Sequence, residues 1–173
     1  MRDFNMGKRK VKKQHLYICL SVLLAVVLAI GAILIFSGNN EPKNISISIG
    51  DATALAGDTV KLPFSMDGNS AVWGGQVIIN YDASAFEYVS CSNGEVFDFC
   101  EDNDNKGQLA IVVTQMDDKN TDKNGLVATL NFKVKATSDD GEYKISFDKE
   151  TNFSNIEGEL QEVSFKSGTV TIK

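Results

Sequence analysis

Short runs of β-branched and aromatic residues, divided by turn signals, recur along residues 45–173 and limit the possible folds more than any other feature. No window there shows the sustained 3.6-residue period of an amphipathic helix. Turn signals such as "DG", "NG" and "KSG" separate the runs. Nine short strands in one domain predict an all-β sandwich of two sheets. The candidate strands are 45–50, 58–66, 73–81, 86–91, 95–100, 108–116, 126–136, 142–148 and 162–173.

Two of these strands alternate cleanly between apolar and polar residues, as a strand with one face on a core does. Lysines lie on the opposite side of both strands, and we therefore expect that side to face water. The residues expected to face the core are Val127, Leu130, Phe132 and Val134 in one strand and Tyr143, Ile145 and Phe147 in the other.

Strand 108–116 contains "LAIVVTQM", which is apolar on both faces. Since successive side chains of a strand point to opposite sides, Leu109, Ile111 and Val113 share one face, while Ala110 and Val112 share the other. One face belongs to the core. The other needs either a cover made by the chain's own loops or a binding partner.

The N-terminus combines six Lys or Arg residues with an uninterrupted apolar run, "LYICLSVLLAVVLAIGAILIF", over residues 16–36. As a helix, this run at about 1.5 Å per residue would span roughly 31 Å, the thickness of the hydrocarbon core of a bilayer. The cations before it place the N-terminus in the cytoplasm by the positive-inside rule. We therefore expect a basic cytoplasmic segment (1–15), a single-pass transmembrane signal-anchor in the cell membrane (16–36), a polar linker (37–44) and an extracellular domain (45–173). A cleaved signal peptide is the alternative, although no A-x-A site follows the run.

Cys91 and Cys100 are the two cysteines that follow the apolar run. In an oxidising exterior we expect them to form a disulfide. Closing a loop of about ten residues would stabilise the fold by roughly 2.5 to 3 kcal/mol. If the cell lives without oxygen, two buried free thiols are the alternative.

Beyond the apolar run the chain carries 11 Lys against 22 acidic residues. This acidic balance disfavours nucleic acid as a partner, since its phosphates would be repelled. The sole histidine, His15, precedes the apolar run, so the exported domain lacks an imidazole for a hydrolytic triad or a zinc site. No carboxylate pair stands out as the acid and nucleophile of a glycosidase. We expect neither catalysis nor a metal site in the exported domain.

A calcium-loop pattern begins in "NTDKNGLVATLN", with Asn120, Asp122, Asn124 and Gly125 at the expected offsets. The twelfth position is Asn131, so the bidentate glutamate of such loops is missing. We expect no calcium site in this segment.

Trp73 is the only tryptophan in the chain. A sugar-binding sandwich would stack exposed aromatic rings on pyranose rings, whereas most of the ten Phe residues fall at alternating strand positions typical of a core. A carbohydrate-binding or adhesin-type extracellular sandwich is therefore the alternative function, and we do not expect carbohydrate as the ligand.

Several stretches together resemble a cohesin module, the scaffoldin domain that captures dockerin-bearing enzymes in cellulosomes. The resemblance covers the exported domain and rests on the order and spacing of "LAGDTVKLPFSMDG", "WGGQVIINYDASAFEYVS", "GLVATLNFKVKA" with "GEYKISFD", and "VSFKSGTVTIK". It implies a nine-stranded jelly roll that acts as a non-catalytic cell-surface module. The implied partner is a dockerin-containing protein, and calcium is expected on the dockerin and not on this chain.

The resemblance also implies where the dockerin binds, because cohesins use one sheet face that includes their third, fifth, sixth and eighth strands. It places Tyr81 in the core. At Gly74 and Gln76, where an Asn and an Asp often hydrogen-bond the dockerin, this chain departs from the family, which implies a different dockerin class. The implied partner-binding residues are Gly74, Gln76, Ile78 and Asn80 on strand 73–81, and Ile111, Val113 and Gln115 on strand 108–116, with Asp117 at its end.

Overall fold

The computed structural model describes residues 44–69 and 71–173. The expected cytoplasmic segment, the transmembrane segment and all of the linker except Asn44 lie outside the described residues. Lys43–Lys173 form one compact unit. Within the described part, no helix is long and apolar enough to span a membrane.

The described unit is an all-β sandwich of two sheets. One sheet has the strand order β11-β1-β3-β8-β5, and the other has the order β2-β12-β9-β4-β7-β6, with β10 pairing on β4. The strands are β1 (Ile45–Ile49), β2 (Ala52–Ala54), β3 (Thr59–Asp67), β4 (Gly74–Asn80), β5 (Phe86–Asn93), β6 (Phe99–Asp104), β7 (Gln108–Thr114), β8 (Gly125–Val134), β9 (Gly141–Phe147), β10 (Asn152–Ser154), β11 (Val163–Lys166) and β12 (Gly168–Ile172).

The described region has twelve strands, so the expected count of nine is wrong. Two of the extra strands, β2 and β10, have three residues each, which is too short to show an alternating pattern. The third arises because the chain changes sheets within 162–173: β11 pairs with β1, whereas β12 pairs with β9.

The strand expected at 95–100 begins later, since β6 starts at Phe99. Val96 and Phe97 precede it in a loop and are buried in the core. Their apolar character therefore comes from packing beneath the loop and not from strand pairing.

The core lies between the sheets and contains the residues expected there. Val127, Leu130, Phe132 and Val134 are fully buried, and so is Ile145 on β9. Tyr143 and Phe147 are partly exposed but pack against the same core. Each large apolar side chain buried in this way contributes roughly 1.5 to 3 kcal/mol, which is what holds the two sheets together.

Candidate partner-binding face

The outer face of the sheet containing β4 is built from β9, β4, β7 and β6, together with β10. β4 lies at its centre and pairs along its whole length with β7. On its other side β4 pairs with β10 at one end and β9 at the other. Between these two contacts the Thr151 hydroxyl bonds the backbone of Ile78, accepting from its N–H at 3.0 Å and donating to its carbonyl at 3.1 Å. The hydrogen bonding along this side of β4 is therefore continuous between the residues paired with β10 and those paired with β9.

The antiparallel registers arrange the outer side chains in rows across the strands, because residues directly opposite each other share a face. Where β6, β7, β4 and β10 lie side by side, two rows run across all four strands. The first row is Phe99, Thr114, Gly74 and Ser154; the second is Glu101, Val112, Gln76 and Asn152. Further along, Asn103, Ala110 and Ile78 form a third row, and Gln108, Asn80 and Ser146 form a fourth.

Apolar side chains are exposed on this face around β7. Val112 is 47% exposed, Phe99 on the neighbouring strand is 38% exposed, and Met116, just beyond the end of β7, is 74% exposed. Gln76 and Glu101 flank Val112 on either side. The face thus has an apolar centre bordered by amide and carboxylate groups, which is the general composition of a protein–protein interface.

The expected outward set on β7 is wrong: Ile111 and Val113 are fully buried, and Gln115 is 6% exposed. The β4–β7 register explains the inversion, since Ile111 lies opposite the buried Val77 and Val113 lies opposite Gly75. Gln115 is also turned inward, and its amide donates to the Val96 carbonyl at 2.8 Å. The outward residues of β7 are Gln108, Ala110, Val112 and Thr114.

The expected face of β4 agrees with the structure. Gln76 is exposed, Ile78 and Asn80 lie on the same side, and Tyr81 belongs to the core cluster. Ile78 is only 7% exposed, so it forms part of the floor of the face and does not project from it.

Gly74 also belongs to the outer side, but its position admits no side chain. A Cβ built there would lie 2.7 Å from the Val113 carbonyl oxygen and 3.2 Å from the backbone of Thr114. The departure from the family's Asn at this position is therefore enforced by the close approach of β4 and β7. It leaves a depression between Ser154 and Thr114 in the first row.

Asp117 is exposed in the turn beyond β7, and its backbone carbonyl accepts a hydrogen bond from the Trp73 indole at 3.0 Å. The indole is half-buried and packs at the end of β4. Its polar edge is thus engaged in holding the turn after β7.

Amide and carboxylate groups form a polar border beside β9. The Asn80 side-chain amide donates to the Asp148 carboxylate at 2.9 Å, and the Gln108 side-chain amide donates to the Asn80 side-chain oxygen (Oδ1) at 3.3 Å. The bond from Asn80, helped by the Glu150 N–H, lowers the pKa of Asp148. Asp148 therefore remains charged well below neutral pH.

The open edge of the sandwich, between β5 and β6, holds several polar groups. The Tyr81 hydroxyl donates to the Asp104 carboxylate at 2.7 Å, and burial together with this bond raises the pKa of Tyr81 to about 12. The sulphur atoms of Cys91 and Cys100 lie 3.2 Å apart. The expected disulfide partners are thus in contact, with both side chains half-buried.

The calcium-loop pattern serves a structural purpose. The Asn120 side-chain oxygen accepts the Ile156 N–H at 2.7 Å, and the Asn124 oxygen accepts the Asn69 N–H at 2.7 Å. These oxygens tie the loop to its neighbours. Among residues 44–69 and 71–173, no group of three or more His, Cys, Asp or Glu side chains could hold a metal ion.

Sequence reasoning included the fifth strand, which corresponds to β6, in the face through the resemblance but named no residue on it, and it missed β10. Phe99, Glu101 and Asn152 occupy outward positions there, but β6 was expected too early in the chain and β10 was not expected at all. A signal was present in "FCEDND", where the apolar Phe99 and Cys100 are followed by four polar residues, as expected for an edge strand.

Comparison with known protein families matches the model of the cohesin domain to residues 45–172. The chain belongs to the cohesin domain family. Cellulose-binding protein A of Clostridium cellulovorans is 27% identical to it over 147 residues, covering 80% of this chain. The chain spans only 8% of the length of that relative.

Solved structures share the fold of this cohesin domain. The CaDoc0917–CaCohA2 complex, whose CaCohA2 comes from Clostridium acetobutylicum, matches with a TM-score of 0.71 and 19% identity, covering 75% of this chain and 100% of the other. A chain of the type I cohesin–dockerin complex Coh-OlpA–Doc918 from Clostridium thermocellum matches with a TM-score of 0.69 and 18% identity, covering 75% and 99%.

Proposed function

We propose that this cohesin domain binds the dockerin of a partner protein, without catalysis, through the outer face of β4, β7, β6 and β9. The observation that carries the proposal is the exposed apolar group of Val112, Phe99 and Met116 on that face. Apolar groups exposed together at the centre of a sheet and bordered by polar side chains mark a binding surface more often than an ordinary solvated one.

Family membership supports a dockerin as the occupant, since two structures that share the fold are named as complexes with such partners. A sheet face with a shallow floor suits a helix laid across it. The floor here is made by Gly74, Ile78 and Ala110, whose side chains are absent, nearly buried or small. Val112 and Phe99 stand above that floor and would pack against apolar residues of the helix.

The binding residues that we propose on β4 are Gly74, Gln76, Ile78 and Asn80, as the resemblance implies. On β7 we replace Ile111, Val113 and Gln115 by Ala110, Val112 and Thr114, because only these point outward. Asp117 remains a candidate at the border of the face. Gln76 offers a neutral amide where the family often has a carboxylate, which favours a dockerin of a different class with an uncharged hydrogen-bonding group at that point.

We further propose that residues 16–36 anchor the chain in the cell membrane by a single pass, with the cohesin domain outside and connected as a jelly roll. The six N-terminal cations and the length of the apolar run support this orientation. Such a chain would hold a dockerin-bearing protein at the cell surface in a cellulosome-type assembly.

The test is calorimetric titration of residues 43–173, which form one compact unit, against a panel of dockerins. Each titration is run with calcium and again with chelator, because calcium is expected on the dockerin. A tight complex that disappears in chelator would support the proposal. The absence of binding across a broad panel would overturn it, and polysaccharides would then be tested as ligands.

The matched controls are two variants that each add one negative charge. Val112→Asp changes the centre of the proposed face, whereas Thr59→Asp changes an exposed position on β3 in the opposite sheet. If both variants weaken binding equally, the dockerin does not select the β4 face.

A further inference from the structure

The two cysteines of the described unit connect the two sheets. Cys91 lies on β5, at one end of the five-stranded sheet, and Cys100 lies on β6, at one end of the other sheet. Their sulphur atoms are 3.2 Å apart, so the contact joins the sandwich across its open edge.

Cys100 is also next to the partner-binding face along the chain. It points inward opposite Val113, while its neighbours Phe99 and Glu101 point outward in the two rows described above. Among the strands that the structure describes, β6 pairs with β7 alone. Its backbone pairing near Phe99 and Glu101 therefore depends on a single ladder of hydrogen bonds, since the Tyr81–Asp104 bond lies at the far end of the strand.

We infer that Cys91 and Cys100 form a reversible dithiol–disulfide site whose oxidation fixes β6 and thereby strengthens partner binding at its margin. The part concerning partner binding rests on the proposed function. The disulfide would attach β6 covalently to β5 and so anchor the end of the strand that carries Phe99 and Glu101, where β7 is its only pairing strand among those that the structure describes. A partner would then contact Phe99 and Glu101 already held in place, and less ordering would oppose association.

The local chemistry suits oxidation by thiol–disulfide exchange. Either sulphur can donate the hydrogen bond between the two cysteines; with Cys91 as the donor, this bond lowers the pKa of Cys100, while the same bond and burial raise the pKa of Cys91. The Cys100 thiolate is therefore the group that attacks first. The reaction requires an external disulfide, either a small molecule such as oxidised glutathione or an exported disulfide oxidoreductase.

Two exchanges complete the step. Cys100 thiolate attacks one sulphur of the external disulfide, which forms a mixed disulfide and releases one thiol. Cys91 then loses its proton and attacks the Cys100 sulphur, which forms the Cys91–Cys100 bond and releases the second thiol. Two electrons pass from the cysteine pair to the oxidant, which leaves as two thiols.

The experiment compares residues 43–173 after treatment with dithiothreitol or with oxidised glutathione. Mass spectrometry with thiol alkylation establishes whether the bond has formed. Amide hydrogen exchange then measures protection of β6 in each state. We expect the oxidised form to lose both free thiols and to protect the β6 amides about tenfold more strongly, since the added anchor hinders local opening.

Dissociation from a bound dockerin is measured in both states. We expect the oxidised form to dissociate roughly 3- to 10-fold more slowly, in line with the cost of ordering one or two interface side chains. The Cys91→Ser and Cys100→Ser variants should show the same rate under both treatments and should bind like the reduced wild type.

The outcomes separate this inference from the proposed function. If the thiols stay free under oxidised glutathione, or if the bond forms without changing β6 protection, the inference is wrong whether or not a dockerin binds. If both states bind the dockerin with equal rates, the coupling fails while the proposed function stands. If no dockerin binds either state, the proposed function fails, and hydrogen-exchange protection of β6 alone decides whether the Cys91–Cys100 disulfide fixes that strand.

Discussion

Val77 on β4 and Ile111 on β7 lie directly opposite each other, and both are fully buried. Side chains opposite each other in an antiparallel pair share a face. This pairing therefore turns Val113 inward and Val112 outward, although the two residues are adjacent and identical. It accounts for the two apolar faces of β7: one belongs to the core, and the other is exposed at the centre of the proposed partner-binding face.

Val112→Asp should remove partner binding and leave the fold intact. The side chain is 47% exposed in the free domain, so a carboxylate there stays hydrated until a partner covers it. Burying an unpaired charge at the centre of an interface costs about 2 kcal/mol or more, which is at least a 30-fold loss of affinity. Calorimetric titration measures the loss, and the thermal midpoint should change little.

Val113→Asp should instead unfold the domain, because its side chain is fully buried opposite Gly75. A carboxylate in that position has no partner, and we expect a loss of about 4 kcal/mol or more of folding free energy. Urea titration followed by circular dichroism measures it. A stably folded Val113→Asp variant that fails to bind would mean that β7 presents its other face to the partner.

The sequence was sufficient for the fold class and for the face of β4, because the outer set of strand 73–81 contains the polar Gln76 and Asn80, whereas Val77 and Ile79 on the inner side are apolar. It was insufficient for β7, where both sets are mainly apolar. One signal was available: the outward set contains Gln108 and Thr114, whereas the inward set contains only Gln115. The buried Gln115 amide, which donates to the Val96 carbonyl, places a polar residue in the inward set as well, so polarity alone did not separate the two sets.

The margins of the face could not be predicted for a different reason. Val96 and Phe97 have the composition of a strand but are buried from a loop, which shifted the expected strand away from β6. The short β10 depends on its long-range pairing with β4, and three residues alone show no period. Such elements are determined by tertiary packing and not by local pattern.

Restoring the family's polar pair should affect stability at one position and partner preference at the other. Gly74→Asn should destabilise the domain by roughly 1 to 3 kcal/mol, because its Cβ would meet the Val113 carbonyl oxygen at 2.7 Å. Gln76 is exposed, so Gln76→Asp should leave stability nearly unchanged. It should shift the preference among dockerins towards those with a positively charged side chain at the contact. Thermal unfolding and titration against the panel measure the two effects. Equal stability of the two variants would contradict the close approach of β4 and β7.

Gly75→Ala should destabilise the domain through the core. A Cβ there would lie 2.5 Å from the Phe153 ring and 2.6 Å from the Asn152 carbonyl oxygen. Because Phe153 is fully buried, it cannot move aside freely, and overpacking of this kind costs about 1 to 3 kcal/mol. Gly158→Ala is the control, since nothing lies within 4 Å of its Cβ and only its φ of +81° opposes the change. Chemical denaturation should rank Gly75→Ala as the less stable variant.

Tyr81 should make the domain less stable at alkaline pH. Its pKa is raised from 10.0 to about 12, because burial and the neighbouring Asp104 carboxylate both disfavour the phenolate. Between these values the unfolded chain releases the tyrosine proton while the folded chain keeps it, so unfolding becomes more favourable as the pH rises. The stabilisation is complete below about pH 10 and is lost as the pH passes 12.

Tyr81→Phe should therefore flatten the decline of the free energy of unfolding between pH 10 and pH 12. Burial also raises the pKa of Tyr88, so part of the decline should remain in this variant and disappear further in Tyr81→Phe/Tyr88→Phe. Urea denaturation at a series of pH values measures the slope, and ultraviolet titration of tyrosinate in the folded domain gives the pKa directly. An unchanged slope in Tyr81→Phe would show that its hydroxyl titrates alike in the folded and unfolded chains, and that the bond to Asp104 does not hold the proton.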